Sequence, residues 1–283
     1  MAVKLEGRVE VRNVTKTFGE EWARQVVVQD ASLVVEEGKL NVVIGPSGCG
    51  KSTLINLIAG YEAPTRGEIL IDGERVTGPG RDRLVVFQET ALFPWMTSFE
   101  NVMFGPEVRG ATRRESRQEA LALLEKVGLK GFEDKYPVQL SGGMQRRCEL
   151  ARALINQPRI MLMDEPFRGL DAMTRELMQE YLLRLFEETR HTILFVTSEL
   201  EEAIFLADRL FILSAKPTSV RRVIDVDLPR PRDFRLLTSA HYGELKQQAL
   251  ESLYEEAVKA FAKGSKAAYD LVEAFGRRAS GDS

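Results

Sequence analysis

Two cysteines in 283 residues are too few for a disulfide framework. No apolar run approaches the ~18 residues that cross a bilayer; the longest, such as Leu40–Ile44 and Thr192–Thr197, are strand-sized. Met1 to Arg12 alternates charged and apolar residues, so a secretory signal peptide is not expected. Cys49 and Cys148 therefore read as reduced thiols of a cytosolic protein. A net charge of −3 with both signs interspersed leaves no broad basic face, which argues against nucleic acid as the main ligand. Internal repeats and low-complexity tracts are missing too. What remains is a chain long enough for one good core and a smaller domain.

The richest local signal is Gly45-Pro46-Ser47-Gly48-Cys49-Gly50-Lys51-Ser52, followed by Thr53. It matches G-x-x-x-x-G-K-[ST], and its context is right: an apolar run, Leu40 to Ile44, precedes it, and a helix-like run, Thr53 to Ala59, follows. The glycines let successive N–H groups turn inward as a nest for anionic oxygens, and the helix N-terminus adds partial positive charge. Lys51 can reach β- and γ-phosphates and the Ser52 hydroxyl can hold Mg²⁺. A glycine-rich turn with an exposed lysine is the alternative, which the flanking pattern disfavours. The expected ligand is a nucleoside triphosphate, ATP with Mg²⁺.

Short apolar strands are expected at Val9–Val14, Val26–Val35, Leu40–Ile44, Glu68–Ile71 and Leu84–Phe87, then at Ile160–Met163, Thr192–Thr197 and Arg209–Leu213. Helix-length segments separate the last three, which reads as parallel βαβ units. The early ones are broken by turn signals, Glu37-Gly38 and Asp72-Gly73, and suggest an antiparallel subdomain. Between Glu89 and Pro158 the period turns helical, with a capping box at Thr112–Glu115 and a stop at Gly128. The expected division is a split α/β core (1–88 and 158–214), a helical insertion (89–157), and a linker with a helical C-terminal extension (215–283). In that extension Leu250, Leu253, Tyr254, Ala257, Val258 and Phe261 share one face. Tyr269, Val272 and Phe275 share another after Lys263-Gly264-Ser265. The extension is read as packing onto the core, with a regulatory or subunit-contact role as the alternative.

Ile160–Met163 runs into Asp164-Glu165. A parallel strand delivers its C-terminal residues to the ligand crevice, so Asp164 can hold Mg²⁺ through water and Glu165 can polarise an attacking water. Farther back, Leu140-Ser141-Gly142-Gly143-Met144 precedes a helix running to about Asn156. Here the chain resembles the ATP-binding cassette (ABC) ATPases, whose signature is LSGGQ. The resemblance covers roughly residues 8 to 235 and implies a P-loop NTPase fold of the ABC type. It implies that Ser141, Gly142, Gly143 and Met144 close on the γ-phosphate of the opposite subunit. By the same resemblance Gln88 is the glutamine that senses Mg²⁺ and the γ-phosphate. The resemblance also implies that Asp171, in Gly169-Leu170-Asp171, contacts the opposite subunit and that Phe18 stacks on adenine; a core phenylalanine is the alternative reading of Phe18.

The segments Glu165–Ala172, Glu202–Arg209 and Asp227–Arg232 resemble the nitrate/sulfonate/taurine/bicarbonate branch of ABC importers. That resemblance implies a peripheral ATPase on the cytoplasmic face of the membrane, working as a homodimer or beside a second ABC ATPase subunit. Separate integral membrane permease subunits would carry the solute, served indirectly by a solute-binding protein. Leu92-Phe93-Pro94-Trp95-Met96 is the candidate permease contact, unless it folds into the helical insertion. A non-transport ABC ATPase and a catalytically weak cassette are the alternatives. Met144 stands where the family most often has Gln. Ser198 stands where the family usually has a histidine that contacts the γ-phosphate, and a hydroxyl reaches less far than an imidazole. Ser198-x-x-Glu201 also reads as a helix capping box, and His191 and His241 read as surface residues.

Overall fold

Leu40–Ile44 forms β3, buried along its whole length because a strand covered on both faces has no polar side to show water. The computed structural model describes residues 6–262. Its larger sheet has six strands in the order β10-β9-β3-β8-β7-β6. They are β6 (Arg83–Val86), β7 (Ile160–Asp164), β8 (Thr192–Thr197), β9 (Arg209–Leu213) and β10 (Val220–Asp225), with β3 inside. All neighbours are parallel except β9 and β10. The register pairs Val42 with Phe195 on one side and Leu210 on the other.

Strand alternation then sorts the side chains into two cores. Val42, Met163, Phe195 and Ile212 face the helices α5 (Ala172–Thr189), α6 (Leu200–Leu206) and α7 (Ala240–Ala262). Val43, Leu162, Val196 and Phe211 face α1 (Lys51–Ala59) and a second, antiparallel sheet. That sheet has the order β2-β1-β4-β5, from β1 (Val9–Phe18), β2 (Gln25–Val35), β4 (Arg66–Ile71) and β5 (Glu74–Arg75). A third core belongs to the helices α2 (Ser98–Val108), α3 (Arg113–Lys126) and α4 (Gly142–Leu154), where Val102, Leu124 and Cys148 meet. The Thr112–Glu115 capping box opens α3, and Gly128, at φ +69°, follows its end.

Two expectations about the C-terminal region need correction. The stretch read as a linker contains β10, an edge strand whose Arg221 and Arg222 side chains are exposed; charge on an edge hid it from a hydrophobic pattern. The buried face of α7 is Tyr242, Leu245, Ala249, Ser252 and Glu256, whereas Leu250 and Tyr254 are about half exposed. Polar Ser252 and Glu256 lie on the packed stripe, so hydropathy alone selected a neighbouring face. The Phe261 side chain, the break at Lys263-Gly264-Ser265 and the face of Tyr269, Val272 and Phe275 lie outside what is described. Among the described residues no helix is long and apolar enough to cross a membrane.

Candidate functional site

The loop between β3 and α1 is built for close backbone approach. Gly48 and Gly50 take φ of +70° and +122°, which β-carbon-bearing residues rarely adopt. Lys51 opens α1 and is only 6% exposed. Its Nζ curls back over the loop, donating to the carbonyls of Gly45 at 2.9 Å and Pro46 at 3.2 Å. Glu165 Oε1 lies 3.7 Å from the same Nζ. Ser52, in the first turn of α1, lies beside Asp164. Burial pushes the Asp164 carboxyl above its ordinary range; Glu165 adds to this, while Ser52 and Lys51 pull it back. The half-buried Asp164 carboxylate and the Ser52 hydroxyl are hard oxygen donors of the kind a divalent cation takes, and the Lys51 ammonium beside them offers positive charge to an anion.

Glu165 is the most constrained residue here. It sits just past β7 at φ +44°, and its N–H donates to the Val196 carbonyl of β8 at 2.9 Å. Ser198 Oγ donates to Oε1 at 2.5 Å, and Arg168 Nη1 donates to Oε2 at 2.8 Å. A cavity of about 150 Å³ opens beside it, bounded by Ser47, Arg168, Thr197 and Ser198 among others. Below it Thr197 Oγ1 donates to buried Glu202, which also accepts from Gln179 Nε2 at 2.8 Å. Burial pushes the Glu202 carboxyl up, with both hydrogen bonds opposing. The arrangement is a carboxylate fixed by two donors beside a glycine-rich loop that carries a buried lysine.

Ser198 is not the expected helix cap. The N-cap of α6 is Glu199, without a side-chain cap bond, and Thr197 Oγ1 takes the Glu199 N–H at 3.0 Å. The hydroxyl of Ser198 is instead spent on Glu165, a bond between two strand ends that local sequence cannot show. His191 is half-buried rather than on the surface, and burial pushes its pKa down, with Lys126 nearby adding to this. His241 is exposed as expected.

The other sequence candidates are more dispersed. Ser141 caps α4, its Oγ accepting from Met144 N–H at 3.3 Å, and with Gly142 it is exposed. Gly143 is buried: a Cβ there would meet Thr174 Cγ2 of α5 at 2.8 Å, so this glycine also serves helix packing. Asp171 caps α5 by accepting from Thr174 N–H at 3.0 Å, and the Thr174 side chain first and this N–H second hold its carboxyl below the usual range. None of these lines the cavity beside Glu165. Gln88 is exposed beyond β6, and Phe18 lies at the exposed end of β1 with Lys16 Nζ 4.8 Å from its ring centroid, not in the core. Sequence reasoning missed Arg146, 4% exposed on α4. It donates to the carbonyls of Phe87 at 2.8 Å and Gln88 at 2.7 Å and pairs with Glu149, tying the helix behind Ser141 to the Gln88 loop. A buried Arg-x-x-Glu pair on one helix was the available signal.

Leu92–Met96 divides. Leu92 is buried in the helical core, Phe93 is half-buried with its ring 4.6 Å from Phe104, and Trp95 is 69% exposed. Asn101 Nδ2 donates to the carbonyls of Phe93, Met96 and Thr97, so Trp95 projects from a pinned loop.

Cys49 is a free thiol inside the phosphate loop. A thiol in an anion nest next to Lys51 is expected to ionise readily. It is 2% exposed, however, and burial pushes its pKa up against the opposing pull of Lys51. Cys148 is pushed up to about 12, again by burial. Both thiols should resist iodoacetamide at neutral pH in the folded protein and label on denaturation. Mass spectrometry showing fast native labelling of Cys49 would contradict this burial.

The sequence model of the ABC transporter family matches residues 28–168. An uncharacterized ABC transporter ATP-binding protein from Methanocaldococcus jannaschii is 44% identical over 90% of this chain and 95% of its own length. A nitrate import ATP-binding protein from Synechocystis is 42% identical over 78% of this chain and 83% of its own. Among solved structures, a dimeric ATP-binding cassette in a post-hydrolysis state bound to ADP and Pi superposes with a TM-score of 0.67. It is 33% identical and covers 78% of this chain and 100% of that one.

Proposed function

This chain belongs to the ABC transporter ATP-binding proteins, in the branch whose members are named for nitrate, sulfonate, taurine and bicarbonate import, and from that membership we propose a specific role. It is an ATP hydrolase with the P-loop NTPase fold. Its role is to power uptake of a small anion through separate membrane subunits, as a peripheral ATPase on the cytoplasmic face. It works as a dimer of two such chains or beside a second ATPase subunit.

The observation that carries the catalytic part is the convergence of Lys51, Ser52, Asp164 and Glu165 at the ends of β3 and β7. Lys51 gives up its two loop carbonyls to reach the β- and γ-phosphates. Ser52 and Asp164 would hold Mg²⁺, which supplies positive charge to the same oxygens. Gln88 approaches from the exposed end of β6 to sense that charge. Glu165 accepts a proton from the attacking water while Ser198 fixes its orientation. The exposed Ser141–Gly142 end of α4 completes the opposite site, with Met144 behind it and Asp171 at the crossing. Phe18 takes the adenine.

The test is co-purification with membrane subunits, followed by ATPase measurement in vesicles against nitrate, taurine, an alkanesulfonate and bicarbonate. Stimulation by one of them is expected. A chain that brings down no membrane protein, yet hydrolyses ATP alone at the same rate, would overturn the importer reading. Trp95→Ala should weaken that assembly roughly tenfold or more, as loss of an exposed aromatic anchor does. Nucleotide binding should be unchanged. Loss of folding in Trp95→Ala would place the residue in the core instead.

A further inference from the structure

The turn between β9 and β10, residues 214–219, carries no motif, yet it touches the phosphate loop. Its Thr218 is 1% exposed. Thr218 Oγ1 donates to the Cys49 carbonyl inside the loop. The Thr218 N–H donates to the Val27 carbonyl at 2.7 Å, and its own carbonyl accepts from Gln29 N–H at 2.8 Å. One residue is therefore tied to the loop and to β2 at once. The approach is close: a Cβ on Gly50 would meet Thr218 Oγ1 at 2.8 Å.

The other side of the turn is held from α7. Ala215 N–H donates to Glu256 Oε2 at 2.9 Å. Glu256 is 3% exposed, with Lys259 Nζ at 2.6 Å and Arg221 Nε at 3.6 Å. Within the turn Ser214 Oγ contacts the Pro217 carbonyl and accepts from Ser219 N–H at 2.9 Å, so the segment between Ala215 and Thr218 is braced.

We propose that Thr218 and Glu256 are positioning residues for the phosphate loop, with Glu256 acting through the 214–219 turn, so that α7 sets the affinity for the nucleotide's phosphates. A trans peptide is planar with its C=O and N–H on opposite sides. Holding the Cys49 carbonyl toward Thr218 thus fixes the direction of the Gly50 N–H, one of the donors from which an anion nest is made. The C-terminal extension then contributes to nucleotide binding as well as to packing. This rests on MgATP occupying the phosphate loop.

The experiment is calorimetric titration of MgATP into the full chain, with steady-state ATPase measured in parallel. Thr218→Val keeps the shape of the side chain but removes the donor and should raise Kd and KM about five- to tenfold, the worth of one hydrogen bond. The kcat should stay within about twofold, since nothing beyond binding is lost. Thr218→Ser, which keeps the donor, should bind like wild type. Glu256→Ala should raise Kd about threefold and Glu256→Gln, which still accepts from Ala215, should not. Because the residues act in series, Thr218→Val with Glu256→Ala should be no worse than Thr218→Val alone. Unchanged Kd in Thr218→Val, a fall in kcat at constant KM, or multiplied losses in the double variant would each overturn the relay. If Thr218→Val does not fold, the Glu256→Ala and Glu256→Gln pair tests the relay in its place: equal Kd in the two would overturn it. Absence of binding in wild type would overturn nucleotide binding itself, and tight wild-type binding with unchanged variants would overturn only the relay.

Discussion

Glu165→Gln should lower ATP turnover by roughly 100- to 10,000-fold, the range for losing a positioned general base. Nucleotide binding should survive it. The amide keeps the side chain's volume and can still accept from Ser198 Oγ, which now donates at 2.5 Å. It loses the charge facing Arg168 at 2.8 Å and Lys51 at 3.7 Å. Arg168 is more than half exposed, so water replaces its partner at little cost, and Lys51 turns to the phosphates once MgATP binds, so its charge stays matched. With hydrolysis blocked, MgATP should hold two chains together across the phosphate loop of one and the Ser141–Gly143 end of the other. Gel filtration should show an ATP-dependent dimer for the variant and little for wild type. Undiminished turnover without such a dimer would remove Glu165 from its role.

Ser198→His should raise kcat of the homodimer. A histidine at this strand end can reach the γ-phosphate, whereas the serine turns back to Glu165. One such positioning contact is worth on the order of 2–4 kcal/mol in the transition state, or ~30- to 1,000-fold in rate. The gain should fall toward the lower end, because the substitution also removes the hydroxyl that fixes Glu165. No helix cap is lost, since the N-cap of α6 is Glu199 rather than Ser198. Steady-state ATPase of wild type, Ser198→His and Ser198→Ala separates the two effects. Ser198→Ala should be slower than wild type, as Glu165 then keeps only Arg168 and Lys51. If wild type already matches histidine-bearing relatives and Ser198→His is no faster, the γ-phosphate is positioned by other groups, Gln88 first.

The parts of the site legible in the sequence were those carried by contiguous residues. Gly45–Ser52 needs only its own backbone and the strand and helix beside it, and both were visible as apolar runs. Asp164-Glu165 was legible because a buried strand's period ends where its carboxylates begin. The β9–β10 hairpin and the packed stripe of α7 were not, since each shows polar or charged residues where a hydrophobic pattern looks for apolar ones.

The chain by itself determined the two sheets' main strands, the phosphate loop, the paired carboxylates and the capping box of α3, because each depends on interactions within a few residues or on strand and helix period. Tertiary structure decided what meets across those elements. It turned Ser198 from an expected helix cap into a donor to Glu165, set 33 residues earlier. It buried Cys49, which local charge alone would have made reactive. It placed Arg146 under the Gln88 loop and Thr218 against Cys49, 169 residues away. Hydrogen bonds between side chains and distant backbone leave no periodic trace in sequence. They are fixed only once the sheet order brings β3, β7, β8 and β9 side by side.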